Sequence, residues 1–272
     1  MFPILLRIGS YAVHTYTVAL IVGILVAVWI AYREARRRLA SPDAVLDVAF
    51  WALLAGILGG RMGYVASNWA YYADHMAEAL DLRAGGLSWH GALLGGGLAV
   101  VGWLVVRRWR RLPVPDGRDL ADSMAPGLAI GSAWGWLGCL FAACSYGADA
   151  SGYRPPLSWL SAYLPDIYGV EAARFMTQPL MIAWCLLLGA LVWGLRRRMP
   201  RGMGFALYLL LYALADFCLA YLRGDGTWRW GLWLAQWAAL LEAGIAIGLA
   251  VYVWTRPDRG QAPLAAASSD AH

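Results

Sequence analysis

Seven long apolar stretches constrain this chain more than any other feature of its sequence. Each runs for about 17–25 residues, the length that an α-helix needs to cross the hydrocarbon core of a bilayer. Composition agrees, because 61% of the 272 residues are hydrophobic and only 14% are charged. The chain is therefore predicted to be an all-α, polytopic membrane protein with seven transmembrane helices. The spans lie near residues 11–32, 45–68, 88–106, 120–146, 179–195, 203–223 and 233–254.

The spans leave no room for a separate soluble domain. Residues 1–254 are expected to form a single seven-span membrane domain. Residues 255–272 are small, polar and without periodicity, so they are expected to form a disordered cytoplasmic tail. The first span is too long for a signal peptide, and the REARRR that follows it contains no small-residue cleavage site. It is therefore expected to stay as an anchor.

The distribution of arginine predicts the orientation of the chain. All 22 basic residues are arginines, and 15 of them lie in segments 33–38, 107–118, 196–201 and the tail. These segments are alternate connections, which the positive-inside rule places in the cytoplasm. The N-terminus is therefore predicted to lie outside and the C-terminus inside. Orientation accounts for the basic charge, so no nucleic-acid partner is expected. The lack of lysine excludes a retinal Schiff base, and the lack of an internal repeat disfavours a transporter.

The four cysteines all fall within predicted spans. Cys139 and Cys144 are five residues apart, which is an awkward spacing for one helix face and is not a zinc-binding pattern. The other two are Cys185 and Cys218. All four are therefore expected to be small buried apolar side chains.

Polar residues within the spans gather in the half that lies nearest the outside. At a rise of about 1.5 Å per residue, His90 begins span three and Tyr16 lies at the outer end of span one. Ionisable groups in hydrocarbon cost about 2.5–3.5 kcal/mol each on insertion scales and usually line an internal cavity. A polar cavity open to the outer leaflet is therefore predicted. Its other members are Arg61, Gln178, Asp216, Arg223 and Gln236.

Three carboxylates within the predicted spans are interpreted one by one. Asp216 and Arg61 lie at a similar depth, so we expect them to form an ion pair that neutralises the cavity. Asp122, in ADSMAP, is interpreted as the N-cap of its own helix. Glu242 lies near the middle of span seven and has no assigned role.

The segment GGLSWHGALLGGG, residues 85–97, places His90 in the first turn of an apolar, glycine-rich helix. Gly85 and Gly86 are expected to form the turn before this helix, whose exposed N–H groups could hold a phosphate or a carboxylate. One interpretation of His90 is an interfacial histidine hydrogen-bonded to a carbonyl group. The other is a general base, because a helix N-terminus favours the neutral imidazole. Tyr16 and Arg61 at a compatible depth would supply a hydrogen-bond donor and an anion holder.

These residues form part of a wider pattern. The chain resembles the prolipoprotein diacylglyceryl transferases, seven-span enzymes of the bacterial inner membrane. The histidine–glycine segment is the most specific of the motifs, and all of them occur in the family's order. They are HTYTVAL (14–20), GGRMGYV (59–65), GGLSWHGALLGG (85–96), DSMAPGLAIG (122–131), WLGCLFAACSYG (136–147), TQP (177–179), YLRGDG (221–226) and AQW (235–237).

The resemblance implies transfer of the diacylglyceryl group from phosphatidylglycerol, or a related phospholipid, to the thiol of a lipobox cysteine in a secreted precursor. His90 would take the thiol proton, and Tyr16 would orient the head group or the thiol. Arg61 and Arg223 would hold the phosphate, with Gly85, Gly86, Gln178 and Gln236 also contributing to substrate binding. No cofactor or metal is expected.

The chain departs from the family pattern on the side that would hold the phosphate. The family usually has arginine where this chain has Trp136, often asparagine at Cys139, and arginine at Asp216. Met181 and Ala220 occupy positions of family glutamates. Two interpretations stay open. Either the remaining arginines suffice for transfer, or the chain is a catalytically divergent homologue that binds a lipid or lipopeptide in the same cavity. A different membrane enzyme that uses His90 as its base is a third.

Overall fold

The computed structural model describes residues 4–8, 11–81 and 86–255. Within these ranges, seven helices are long and apolar enough to span a membrane, as predicted. A short helix, α3 (Trp69–Tyr72), follows the second of them. Gly85 and residues 256–272 of the expected tail lie outside the described residues. The seven helices are α1 (Thr15–Arg38), α2 (Ala44–Ser67), α4 (Trp89–Trp109), α5 (Gly117–Ala142), α6 (Thr177–Leu195), α7 (Met203–Ala220) and α8 (Leu234–Thr255).

Three antiparallel hairpins, which the all-α prediction did not include, precede three of the spanning helices. The hairpins β1 (Ile4–Ile8) with β2 (Tyr11–His14), β3 (Ser161–Pro165) with β4 (Glu171–Phe175), and β5 (Trp228–Arg229) with β6 (Leu232–Trp233) lead into α1, α6 and α8. The first predicted span was therefore wrong over residues 11–14. In the last hairpin, the rings of Trp228 and Trp233 lie 5.0 Å apart, edge to face, and Gly231 turns with a φ of 83°. Cross-strand aromatic pairs and left-handed turn residues both favour short hairpins.

The helices pack as neighbouring pairs around a core of small and aromatic side chains. The closest pairs are α1 with α5, α2 with α4, α5 with α6, and α7 with α8. Ala125, Ala129 and Ala133 of α5 meet Tyr208 and Tyr212 of α7 in this core. Helix α4 buries none of its residues fully, so its apolar surface beyond α2 is left for lipid.

Charged residues join four helix termini at one end of the bundle. Glu34, near the end of α1, accepts a hydrogen bond from Arg38 at 3.2 Å and lies 3.4 Å from Arg196, which follows α6. Arg38 also reaches Asp122 of α5 at 3.3 Å. The ends of α1 and α6 and the starts of α5 and α7 therefore lie together. This is the end that carries the arginine-rich segments.

The prediction that Asp122 caps its own helix was wrong. Helix α5 begins earlier, at Gly117, and Asp116 is its N-cap, accepting a hydrogen bond from the N–H of Arg118 at 2.9 Å. Asp122 lies inside α5 and accepts hydrogen bonds from the backbone N–H groups of Gly202 and Phe205, at the start of α7. The residue caps a neighbouring helix instead.

The interpretation of Cys139 and Cys144 as two separate apolar side chains was also wrong. They form a disulfide, with Cα atoms 4.8 Å apart. A spacing of five does not suit one helix face, but α5 ends at Ala142 and Ala143 takes a left-handed conformation with φ 55°. That turn brings Cys144 back over Cys139. Cys185 is buried, as predicted, whereas Cys218 is exposed on the surface of the bundle.

Candidate functional site

His90 is the second residue of α4, and the sequence before it holds the start of this helix in place. The Ser88 side chain caps the helix by accepting a hydrogen bond from the N–H of Gly91 at 3.3 Å. The Ser88 N–H donates to the carbonyl of Gly60 on α2 at 2.9 Å. The cap and the bond to α2 together fix where the imidazole lies.

The carboxylate of Glu242, on α8, faces the imidazole. His90 Nδ1 and Glu242 Oε1 are 3.5 Å apart, within ion-pair range, but no hydrogen bond joins them. Nδ1 is buried, and a quarter of the His90 side chain is exposed. In the described part of the chain Nε2 is neither hydrogen-bonded nor among the buried unpaired atoms. This nitrogen is therefore the one open to a substrate.

Asp216, on α7, adds a second carboxylate to this site. It is 3% exposed, and the charges that act on it are those of Arg223, His90, Glu242 and Asp225. The expected ion pair with Arg61 is not formed, since the interactions of Asp216 in the described structure lie with this other group of residues. Two carboxylates, those of Glu242 and Asp216, therefore act on His90, and Asp216 is not neutralised by Arg61 in the way that the sequence suggested.

Aromatic residues close the site toward the core. The indole of Trp136 donates a hydrogen bond to the Tyr212 hydroxyl at 3.3 Å. The Tyr212 ring lies 6.4 Å from that of Trp89, the neighbour of His90. Trp136 thus occupies a position where the resemblance implies a phosphate-holding arginine, and its one polar group is bound to tyrosine.

Arg61 is buried on α2 and is bound to the connection that follows this helix. Its guanidinium donates to the carbonyls of Ala79 and Glu78 at 2.7 Å each, to that of Gly86 at 3.2 Å, and to the Tyr72 hydroxyl at 3.4 Å. The Gly86 carbonyl lies just before the start of α4. Arg61 therefore fixes the approach to His90, and the hydrogen bonds described here go to three backbone carbonyls and one tyrosine hydroxyl.

Gly86 makes the turn that the sequence predicts. Its φ of 80° is left-handed, and the ring of Tyr64 packs against the space where a side chain would project. Its proposed partner in substrate binding, Gly85, lies outside the described residues.

Two further expected site residues, Arg223 and Tyr16, make their described contacts with residues other than His90. Arg223, after α7, donates to both oxygens of Asp225, at 3.0 and 3.3 Å. Tyr16, at the start of α1, packs against Gly138 of α5, close to the disulfide. No contact between Tyr16 and His90 is found in the part of the chain that the structure describes.

Gln178 and Gln236 are both fully buried and hydrogen-bonded to the backbone. The Gln178 amide donates to the carbonyl of Cys144 at 2.9 Å and thereby holds the segment that follows α5. Gln236 accepts from the N–H of Trp233 at 3.0 Å and donates to the carbonyl of Phe217 at 3.3 Å. These amides connect helices and loops around the site.

Glu242 is the site residue whose role the sequence did not reveal. An ionisable side chain within a span indicates a functional position, but the sequence alone did not identify its partner. That partner depends on how α4 and α8 are rotated about their axes.

These features describe a multi-pass membrane protein with a partly exposed histidine at the start of one span, between carboxylates of two others. The chain matches the family model described as prolipoprotein diacylglyceryl transferase over residues 3–254. It belongs to that family.

Relatives named phosphatidylglycerol–prolipoprotein diacylglyceryl transferase match nearly the whole chain. The protein of Synechococcus elongatus is 31% identical over 263 residues, covering 93% of this chain and 86% of its own length. That of a Nostoc species is 30% identical over 266 residues, covering 93% and 88%. That of Streptococcus agalactiae serotype V is 29% identical over 255 residues, covering 92% and 95%.

Proposed function

We propose that this protein transfers the diacylglyceryl group of phosphatidylglycerol to the cysteine thiol of a lipobox in a secreted precursor. The thiol sulfur attacks the glycerol carbon that carries the phosphate ester and forms a thioether, while the carbon–oxygen bond breaks. Glycerol phosphate leaves with the electron pair, and the thiol proton passes to His90 Nε2. The placement of His90 carries the proposal, because the helix start that holds this imidazole is anchored, the side chain is partly exposed, and Nε2 is not among the buried unpaired atoms of the described residues.

His90 would act by raising the thiolate fraction of a group whose ordinary pKa is about 8.5. The nucleophile belongs to the acceptor protein. Of the cysteines of the chain itself, two are joined in a disulfide and Cys185 is buried, while no contact in the described structure brings the exposed Cys218 to His90. Arg223 and Tyr16 are proposed to contact the lipid head group. We assign Arg61, Gln178 and Gln236 an indirect part, in which they position the loops around it.

We also propose the orientation of the protein, with its N-terminus outside the bacterial inner membrane and its C-terminus in the cytoplasm. The arginine-rich ends of the helices meet at one end of the bundle, which suits the cytoplasmic side. The Cys139–Cys144 disulfide lies at the opposite end of α5, and a disulfide suits an oxidising compartment. His90 would then meet its substrates in the outer leaflet.

A second candidate is a divergent homologue that binds lipid or lipopeptide without transferring it. Asp216 and Glu242 favour this reading, because negative charges beside the site weaken the binding of an anionic phosphate. The replacement of a family arginine by Trp136 acts in the same direction.

One reconstitution separates the two candidates. The purified protein in phosphatidylglycerol vesicles is incubated with a lipobox peptide, and a diacylglyceryl adduct on its cysteine is sought by mass spectrometry. The His90→Gln variant is expected to form the adduct about 100-fold or more slowly than the wild-type protein. His75→Gln is the matched control, since His75 is an exposed histidine stacked on Tyr71 in the connection after α2. No adduct from the wild-type protein, beside an active relative, would support the binding protein.

A further inference from the structure

We propose that Glu242 is a positioning residue for His90: its carboxylate holds the proton on Nδ1 and so directs Nε2 toward the thiol of the acceptor. This inference rests on the proposed function in one respect, namely that His90 is the base. The pairing of the two side chains can be tested without any transfer reaction.

The geometry of the two side chains supports their pairing. His90 Nδ1 and Glu242 Oε2 are both buried and both lack a hydrogen-bond partner, while Glu242 Oε1 lies 3.5 Å from Nδ1. Buried polar groups are nearly always paired, and leaving two of them unpaired side by side is costly. A small rotation of the ring and of the carboxylate would pair Nδ1 with one carboxylate oxygen through an N–H···O bond. Catalytic hydrogen bonds are often long before substrate binds and tighten in the complex.

Charged and polar groups on the packed helices act on the pair electrostatically. Asp216 on α7 interacts with both His90 and Glu242, and the Tyr208 hydroxyl on the same helix interacts with Glu242. Tyr212 faces Asp216 from the same helix, and Arg223 shares its charge between Asp216 and the hydrogen-bonded Asp225. Glu242 is the carboxylate within ion-pair range of His90, so it is placed to offset the charge that the imidazole gains when it takes up the thiol proton.

The chemistry of imidazole also supports this role for Glu242. A neutral imidazole is a base at only one of its nitrogens, and a carboxylate that accepts the Nδ1 proton leaves Nε2 with the free electron pair. The same carboxylate stabilises the imidazolium that forms once the thiol proton arrives. A carboxylate within a span needs a reason to be there, and this arrangement supplies one for Glu242.

The test compares Glu242→Gln and Glu242→Asp with the wild-type protein in phosphatidylglycerol vesicles. We expect Glu242→Gln to lower kcat by about 10–100-fold, the range seen when carboxylate partners of functional histidines are removed, with little change in KM. Its pH–rate profile should also move. Glu242→Asp keeps the charge on a side chain that is one methylene shorter. We expect its pH–rate profile to lie close to that of the wild-type protein. Equal thermal unfolding midpoints establish that each variant is folded.

A second measurement needs no transferase activity. Diethylpyrocarbonate modifies neutral imidazole, and mass spectrometry reports its reaction at His90 as a function of pH. In Glu242→Gln, the pH of half-maximal modification should fall, because the opposite charge beside the imidazole has been removed. Asp216→Asn is the comparison, with a smaller expected change, since Asp216 forms no ion pair with His90 among the described residues.

The outcomes separate this inference from the proposed function. A shifted modification curve in Glu242→Gln with no adduct from the wild-type protein would uphold the pairing and reject the transferase. Transfer that depends on His90, with kcat and both pH curves unchanged in Glu242→Gln, would reject the role of Glu242 alone. A change in Asp216→Asn larger than that in Glu242→Gln would also overturn it, because Asp216 would then be the partner.

Discussion

Asp122 lies within α5, and its Oδ1 accepts a hydrogen bond from the backbone N–H of Phe205 in α7 at 2.9 Å. Its other oxygen accepts from the N–H of Gly202 at 2.8 Å and lies 3.3 Å from a guanidinium nitrogen of Arg38. The first N–H groups of a helix have no partner within that helix. Asp122 supplies this partner and joins α1, α5 and α7 at one point.

Replacing Asp122 should therefore destabilise the protein. We expect Asp122→Ala to cost about 1–3 kcal/mol, because it removes a helix cap and leaves the buried N–H groups unpaired. Asp122→Asn keeps one acceptor and should cost less. Asp47→Asn is the control, since Asp47 is half exposed and pairs with Arg107 on the surface. Thermal unfolding in detergent measures all three, and equal midpoints for Asp122→Ala and Asp47→Asn would contradict the capping role.

Arg61 should act on the connection that leads to His90. Its hydrogen bonds reach Glu78, Ala79 and Gly86, and a lysine cannot serve several acceptors in the fixed geometry of a guanidinium. We therefore expect Arg61→Lys to lose about as much activity as Arg61→Met. Both should increase hydrogen exchange across residues 68–81 and 86–88, measured by mass spectrometry, with α6 as the internal reference.

A phosphate-holding role for Arg61 makes the opposite prediction. Lysine is also a cation, so Arg61→Lys would then keep much of the activity, and raising the phosphatidylglycerol content of the vesicles would restore the rest. Unchanged hydrogen exchange together with this rescue would show that Arg61 contacts the lipid rather than the loop.

The seven spans were predictable because their signal is local. A run of apolar residues long enough for a bilayer indicates a helix whatever surrounds it, and the ends of the predicted helices differ by at most six residues from those found. The hairpins were missed because their strands have only two to five residues. Residues 11–14 were joined to the first span for the same reason, since alternation over four residues carries little information.

The contacts of the site could not be predicted in the same way. Depth in the membrane placed His90, Asp216 and Arg61 in one layer, and depth alone suggested the pair of Asp216 with Arg61. Depth does not determine how each helix is rotated, and rotation turns Glu242 toward His90 and Arg61 toward the connection after α2. The disulfide likewise depends on the left-handed turn at Ala143, which a helical spacing rule does not include.

The contact of α2 with α4 should not tolerate a side chain at Gly59. A Cβ atom there would lie 2.5 Å from the carbonyl oxygen of Gly91, so Gly59→Ala should force the helices apart and displace His90, which neighbours Gly91. We expect a loss of about 1–3 kcal/mol in stability and a large loss of activity.

Gly97→Ala is the matched control, because nothing lies within 4 Å of a Cβ atom at Gly97. That variant should be as stable as the wild type or slightly more so. Equal effects at both positions would mean that helix propensity, and not close packing, explains the result.

The Cys139–Cys144 disulfide predicts how many thiols the chain presents. Denatured in detergent without reductant, the protein should react with maleimide at Cys185 and Cys218 only, and after reduction at all four cysteines. The mass of the labelled protein distinguishes two adducts from four.

The disulfide closes a very short loop, so the chain-entropy account limits its stabilisation to about 2 kcal/mol. The double substitution Cys139→Ser with Cys144→Ser should therefore leave a folded protein. Gln178 still binds the Cys144 carbonyl through its amide, so His90-dependent activity should survive this change. Four adducts before reduction would mean that the two thiols are free. Loss of activity in the folded double variant would mean that the disulfide itself shapes the lipid site near Tyr16.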